Sequence, residues 1–361
     1  MKKEGGRKRN GGMGPTYAAW ILLCTACMAV MLLFAANKSI VIADVSPEQS
    51  GLSAGAEASP QADPDIVLTM ETASDVVGSF RVPLPRGVRA ENVTVENRYM
   101  DRELLLYIQG GDEEFYEENR ISGDIAPVLS SQGERQEDGV VLKFQMNRVL
   151  EYRSTMEGST LTINWYEPGE LYDYIVVLDP AGGGEETGAV GSSLREKDVA
   201  LQVARLVQSQ LALQNVRLYC TRTEDVSVSP EDRVQLAEEV RADFYIRLSV
   251  SAAPEDAEAY GITGIYNDIY YIPDFDSPAL ADLLTREITI ASSNRATGLE
   301  IAGEESVLRL INGPAAEISL GFLSNPQEEY LLGRADYQER LAAGVLSALE
   351  KAIEASEAQK R

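Results

Sequence analysis

Histidine is absent from the 361 residues of this chain. That absence excludes a Ser-His-Asp triad, a Cys-His pair, an HExxH helix and any His-ligated zinc. Catalysis, if any, has to run on carboxylates, Lys, Tyr or an unusual nucleophile. Cysteine is scarce, with three residues in all. Cys24 and Cys27 lie inside an apolar run, which argues against a C-x-x-C metal or redox site. The run continues past Cys27, which argues against a lipoprotein cleavage box there. Cys220 is left alone, so the remainder has neither an internal disulfide nor a cysteine cluster. Positive charge is also in short supply: 32 Lys+Arg stand against 57 Asp+Glu, a net charge of -25. Nucleic acid is therefore not an expected partner, because neutralising phosphates needs clustered Lys and Arg.

What is present suits a globular chain of about two domains plus tails. Lys2, Lys3, Arg7, Lys8 and Arg9 precede Tyr17 to Ala36, twenty residues without a charge. At about 1.5 Å per residue such a helix spans the roughly 30 Å hydrocarbon core of a bilayer. The basic flank (residues 1–16) predicts a cytoplasmic tail, a single pass at 17–36 and the bulk of the chain on the extracytoplasmic side of the cell membrane. A cleaved signal peptide ending at Phe34-Ala35-Ala36 is the rival reading. Its apolar region would usually run about 7–15 residues, which favours a retained anchor. Residues 37–65, rich in Ser, Ala, Gly, Pro and Gln from Asp44 onward, read as a flexible linker.

From Ile66 to Pro168 the pattern has period two. Leu142, Phe144 and Met146 alternate with Lys143 and Gln145, and Leu161, Ile163 and Trp165 with Thr162 and Asn164. With turn signals at Gly110-Gly111, Asp138-Gly139 and Glu157-Gly158, this predicts a small all-β domain. The acidic stretch Asp112 to Asp138 reads as a long loop with some local structure. The 66–168 region resembles the AMIN-type β domains that precede catalytic modules in some cell-wall amidases. From Tyr174 strands alternate with helices, predicting a three-layer α/β domain over 173–355. Ser229-Pro230, Ser277-Pro278 and Asn325-Pro326 each read as a cap followed by Pro, and Asp336 as the cap of the last helix.

Five collinear motifs lie in this half. They are Asp179-Pro180-Ala181-Gly182-Gly183-Gly184-Glu185-Glu186-Thr187-Gly188-Ala189, then Glu196-Lys197-Asp198, Thr221-Arg222-Thr223-Glu224-Asp225, Arg233 to Ala237, and Gly321-Phe322-Leu323-Ser324-Asn325-Pro326. In that order and spacing they resemble the zinc-dependent N-acetylmuramoyl-L-alanine amidases typified by sporulation and cell-separation enzymes. The resemblance implies zinc on two histidines and one glutamate with an open water position, a second glutamate to move the proton, and cleavage between the muramic acid lactyl group and the first L-alanine.

Carried over residue by residue, the family's ligand positions are Gly182, Glu196 and Ser249, of which only Glu196 keeps a ligand. The catalytic-glutamate position is Ser319. Glu185, Glu186 and Glu317 are the carboxylates from which a site could be rebuilt, one suited to Ca²⁺ or Mg²⁺ rather than Zn²⁺. Ser319 and Glu317 fall two apart on one strand and so share a face. Without a histidine to activate them, Ser249 and Ser319 read as buried strand serines, and Tyr245 and Tyr270 as packing residues. Gly182-Gly183-Gly184 lacks the G-K-[ST] ending of a phosphate loop.

The expectation is a membrane-anchored extracytoplasmic pseudo-amidase with no catalytic residue, no metal and no cofactor, though zinc serves the family. Its expected partners are peptidoglycan or muropeptides, and an envelope protein. An active amidase with a rearranged metal site, and an envelope protein-interaction scaffold, are the alternatives.

Overall fold

The computed structural model of the chain describes residues 40–41, 66–73, 77–269 and 275–359. The apolar segment 17–36, most of the 37–65 stretch and Tyr270 lie outside the described residues. Among the described residues no helix is long and apolar enough to cross a membrane.

Residues 40–41 and 66–166 build two sheets. One runs in the order Ile40–Val41, Glu151–Glu157, Thr160–Tyr166, Ser79–Pro83, Ile121–Gly123, Met70–Thr72; the other runs Ile66–Val67, Val128–Gln136, Gly139–Met146, Glu103–Gln109, Val93–Arg98. The alternating residues of both sheets meet in one core. Phe80, fully buried, lies 4.9 Å from the Phe144 ring and 4.8 Å from Trp165.

Two expectations need correcting here. The Asp112 to Asp138 stretch is mostly regular: a helix Glu113–Glu118 capped by Asp112, and strands Ile121–Gly123 and Val128–Gln136. Val128–Gln136 keeps most side chains exposed or half-exposed and pairs through its backbone with Gly139–Met146, so no apolar alternation marks it. Within the 37–65 linker, Ile40 and Val41 pair antiparallel with Met156 and Thr155.

The second half holds a six-stranded sheet ordered Val216–Cys220, Tyr174–Pro180, Phe244–Ser251, Ala315–Phe322, Ile262–Tyr266, Ala296–Ile301. The first four strands are parallel and the last two run the other way. One face packs on helices Glu196–Gln210, Ser277–Ser292 and Ala335–Gln359, which bury Leu178, Ile246, Leu248, Ile318 and Leu320. The other face divides in two. Its lower part is apolar, with Val177, Tyr219, Tyr245 and Ala315 under helix Pro230–Val240 and beside Tyr99 and Met100 of the first half. Its upper part, at the carboxyl ends of the parallel strands, is polar and carries the site.

Ser229 and Asn325 cap their helices, accepting from the N–H of Asp232 and from those of Gln327 and Glu328. Ser277 does not. Asp276 is the cap there, and the Ser277 hydroxyl instead accepts the Ala315 N–H at the start of a sheet strand. Asp336 lies within the first turn of the last helix rather than at its cap, and Arg334 holds it.

Candidate functional site

Three strands set the floor of the upper corner. Register places Asp179, Arg247 and Glu317 side by side, and Ser249 beside Ser319 one pleat further on. Asp179 is completely buried. It accepts from Thr221 Oγ1 and Tyr245 OH, each at 2.6 Å, and pairs with both Arg233 and Arg247. Burial opposes its ionisation, but Arg247, Arg233 and the two hydroxyl donors outweigh it and hold the carboxyl down at about 2. Glu317 lies 3.4 Å from Arg247 Nε. Burial raises its carboxyl above the ordinary range; Arg247 and Ser249 pull against that, and the charges of Glu196 and Asp179 add to it.

The loop after Asp179 folds back on itself. Gly183 and Glu186 exchange backbone hydrogen bonds. Arg222 donates to the carbonyls of Pro180, Ala181 and Lys197, and Arg233 to that of Gly182. Lys197 reaches the Gly184 carbonyl at 2.8 Å and Asp225 at 2.6 Å. Gly182 sits at φ +68, where a Cβ would stand 2.6 Å from the Glu186 carbonyl oxygen. That backbone leaves no room for any side chain.

Glu196 opens its helix, as the sequence implies, and its carboxylate turns inward to the chain. One oxygen accepts the Ala189 N–H at 2.8 Å and the other the Val250 N–H at 3.2 Å. It presses so closely on Gly188 that a Cβ there would lie 2.2 Å from it. The Ser249 hydroxyl lies 3.4 Å from the Ile318 carbonyl, and that of Ser319 2.7 Å from Ser251 Oγ. Ser249 and Ser319 are buried, whereas Glu185 and Glu186 are exposed. Among the described residues no three Cys, Asp or Glu side chains are grouped to hold one ion, so Glu185, Glu186 and Glu317 are not brought together.

Sequence reasoning missed two residues. Arg247 opens the strand motif Arg247-Leu248-Ser249-Val250-Ser251 and was given no role there, although a lone cation inside Phe244–Ser251 is a signal, since a buried charge requires partners. Glu329 also escaped notice. Its carboxylate accepts from Ser192 Oγ and the N–H of Ser193, both at 2.6 Å, and from the Leu194 N–H at 3.0 Å, fixing the loop that leads into Glu196. Burial opposes ionisation, yet these donors hold the Glu329 carboxyl down at about 2.

Residues 176–351 match the family model described as N-acetylmuramoyl-L-alanine amidase. The germination-specific N-acetylmuramoyl-L-alanine amidase of Bacillus subtilis is 32% identical over 187 residues, which cover 47% of this chain and 76% of that protein. The chain belongs to the N-acetylmuramoyl-L-alanine amidase family. The probable cell wall amidase LytH of Staphylococcus aureus is 30% identical over 192 residues, 52% of this chain and 61% of that one. A crystal structure of an N-acetylmuramoyl-L-alanine amidase from Clostridium difficile 630 is 30% identical, with a TM-score of 0.47, and the match covers 50% of this chain and 97% of that structure. In these terms the amidase half is the second sheet with its helices, and the corner built around Asp179 is its candidate site.

Proposed function

We propose that this chain is a pseudo-amidase: an amidase-family scaffold that binds peptidoglycan strands at the cell surface without hydrolysing them. The state of the corner carries this reading. Of the positions that the motifs align with the family's ligands, Gly182 has no side chain and no space for one. Glu196 spends both oxygens on backbone N–H groups, and Ser249 offers a neutral hydroxyl. Such a donor set does not fit tetrahedral zinc, which takes thiolate, imidazole or carboxylate ligands. The proton-carrying position, Ser319, is a hydroxyl paired with Ser251, and a serine cannot serve as a carboxylate base.

The twenty uncharged residues Tyr17 to Ala36, behind a basic flank, support attachment to the membrane with the amidase half outside. Binding surface and catalytic ligands are separable features of a fold, so loss of the ligands does not by itself remove wall binding.

Incubating the full-length chain with purified cell wall tests this directly. The expected result is that the chain sediments with the wall and that no new alanine amino termini appear in the soluble fraction. Release of alanine amino termini, abolished by Glu196→Gln, would show an active amidase instead. A chain that stays in the supernatant would be an envelope scaffold without glycan affinity.

A further inference from the structure

Across three neighbouring strands the floor of the corner reads carboxylate, guanidinium, carboxylate: Asp179, Arg247, Glu317. Arg247 pairs through Nη1 with Asp179 and stands 3.4 Å from Glu317 through Nε, so one planar group serves both acids. The second cation, Arg233, closes the other side of Asp179 and donates to the Gly182 carbonyl. Asp179 and Arg233 have almost no solvent contact, and the Arg247 and Glu317 side chains are only 16% and 19% exposed. Two acids are thus matched by two guanidinium groups in a low-dielectric corner. Glu196, the remaining acid, is satisfied by backbone donors.

We propose that Arg247 is the resident cation of this corner, a built-in positive charge that holds Glu317 and Asp179 together one pleat from the Ser249 and Ser319 pair. The proposal rests on the pseudo-amidase reading and adds what stabilises the acids of the corner. Each of these acids has its partners within the chain. The loops of the corner take their shape from Arg222 and Arg233 on backbone carbonyls, so restoring single ligands does not rebuild a zinc site.

A double-mutant cycle on the full-length chain, read as thermal midpoints, tests it. Arg247→Met leaves Glu317 without a cation and is expected to lower the midpoint by about 10 °C. Glu317→Gln alone costs less, because Arg247 keeps Asp179. Combining the two removes both charges, and at least half of the Arg247→Met loss is expected to return. Zinc or a chelator is expected to leave the wild-type midpoint unchanged. If the double variant loses the sum of the single losses, or if a chelator lowers the wild-type midpoint, Arg247 is not the resident cation. Should Arg247→Met fail to accumulate folded, recovery by the added Glu317→Gln supports the proposal and failure to recover overturns it. Wall cleavage by the wild-type chain would sink the pseudo-amidase reading while leaving this coupling intact, so the two failures are distinguishable.

Discussion

The amidase half holds one buried charge network and shares a second, partly buried one with the β-rich half, and they are built to different plans. The corner around Asp179 is local to the half, and two of its guanidinium groups, Arg222 and Arg233, reach the backbone carbonyls of the loop Pro180 to Gly182. The junction with the β-rich half reaches across the sequence. Glu151 accepts from Arg217 Nε at 2.7 Å and Tyr219 OH at 2.6 Å, and Arg102 forks onto Glu239. The phenol of Tyr99 donates to the Cys220 carbonyl and accepts the Cys220 N–H, covering the backbone of the outermost strand of the sheet. The corner therefore fixes a loop shape, whereas the junction seals an edge and an apolar face. Tyr99, Met100 and Val149 of the β-rich half join the apolar cluster on that face, and the strand that Tyr99 covers leads straight into Thr221 and Arg222 of the corner.

Cutting the junction is the harshest way to break this comparison. A chain starting at residue 173 would expose Tyr219, Val177 and an unpartnered Arg217; loss of cooperative unfolding is expected by near-ultraviolet circular dichroism and urea titration. A sharp transition with the midpoint of the intact chain would show that the halves are independent. Glu151→Gln keeps the shape but leaves Arg217 uncompensated, and should cost about 3 kcal/mol in urea unfolding. At the corner, Gly182→Ala forces a side chain into a positive-φ site with a carbonyl 2.6 Å away and should cost about 2 kcal/mol. Tyr99→Phe removes two hydrogen bonds while retaining the ring, for a loss of about 1 kcal/mol.

Acid sharpens the comparison last. Asp179 and Glu329 titrate at about 2 in the folded chain, below their ordinary values of 3.8 and 4.5. The unfolded chain therefore takes up these protons first as pH falls. Their contribution is complete above about pH 5 and fades as pH approaches 2. Urea midpoints measured at pH 6 and pH 3 should drop less for Glu329→Gln than for the unaltered chain. An identical drop would remove Glu329 from the acid response.

Much of this was legible in the residues. Period-two runs marked Gly139–Met146 and Thr160–Tyr166, and cap-then-Pro signals located the helices at Ser229 and Asn325. The spacing of Glu317 and Ser319 put both on one face of a strand, and the structure has them there, with Arg247 beside Glu317. What escaped was set by partners remote in sequence. Ser277 looks like a cap until Asp276 takes the role and Ser277 turns to Ala315. Ala296–Ile301 shows no alternation because all six of its residues are exposed. Gly182 reads as a lost ligand in the motif, yet only the folded loop shows that the space for a side chain has closed.

Elemental analysis of zinc in the full-length chain, after incubation at slight excess and dialysis, tests the central claim most directly. Less than about a tenth of an equivalent is expected, because ligand type and geometry select the metal. Close to one zinc per chain, lost on Glu196→Gln, would contradict it.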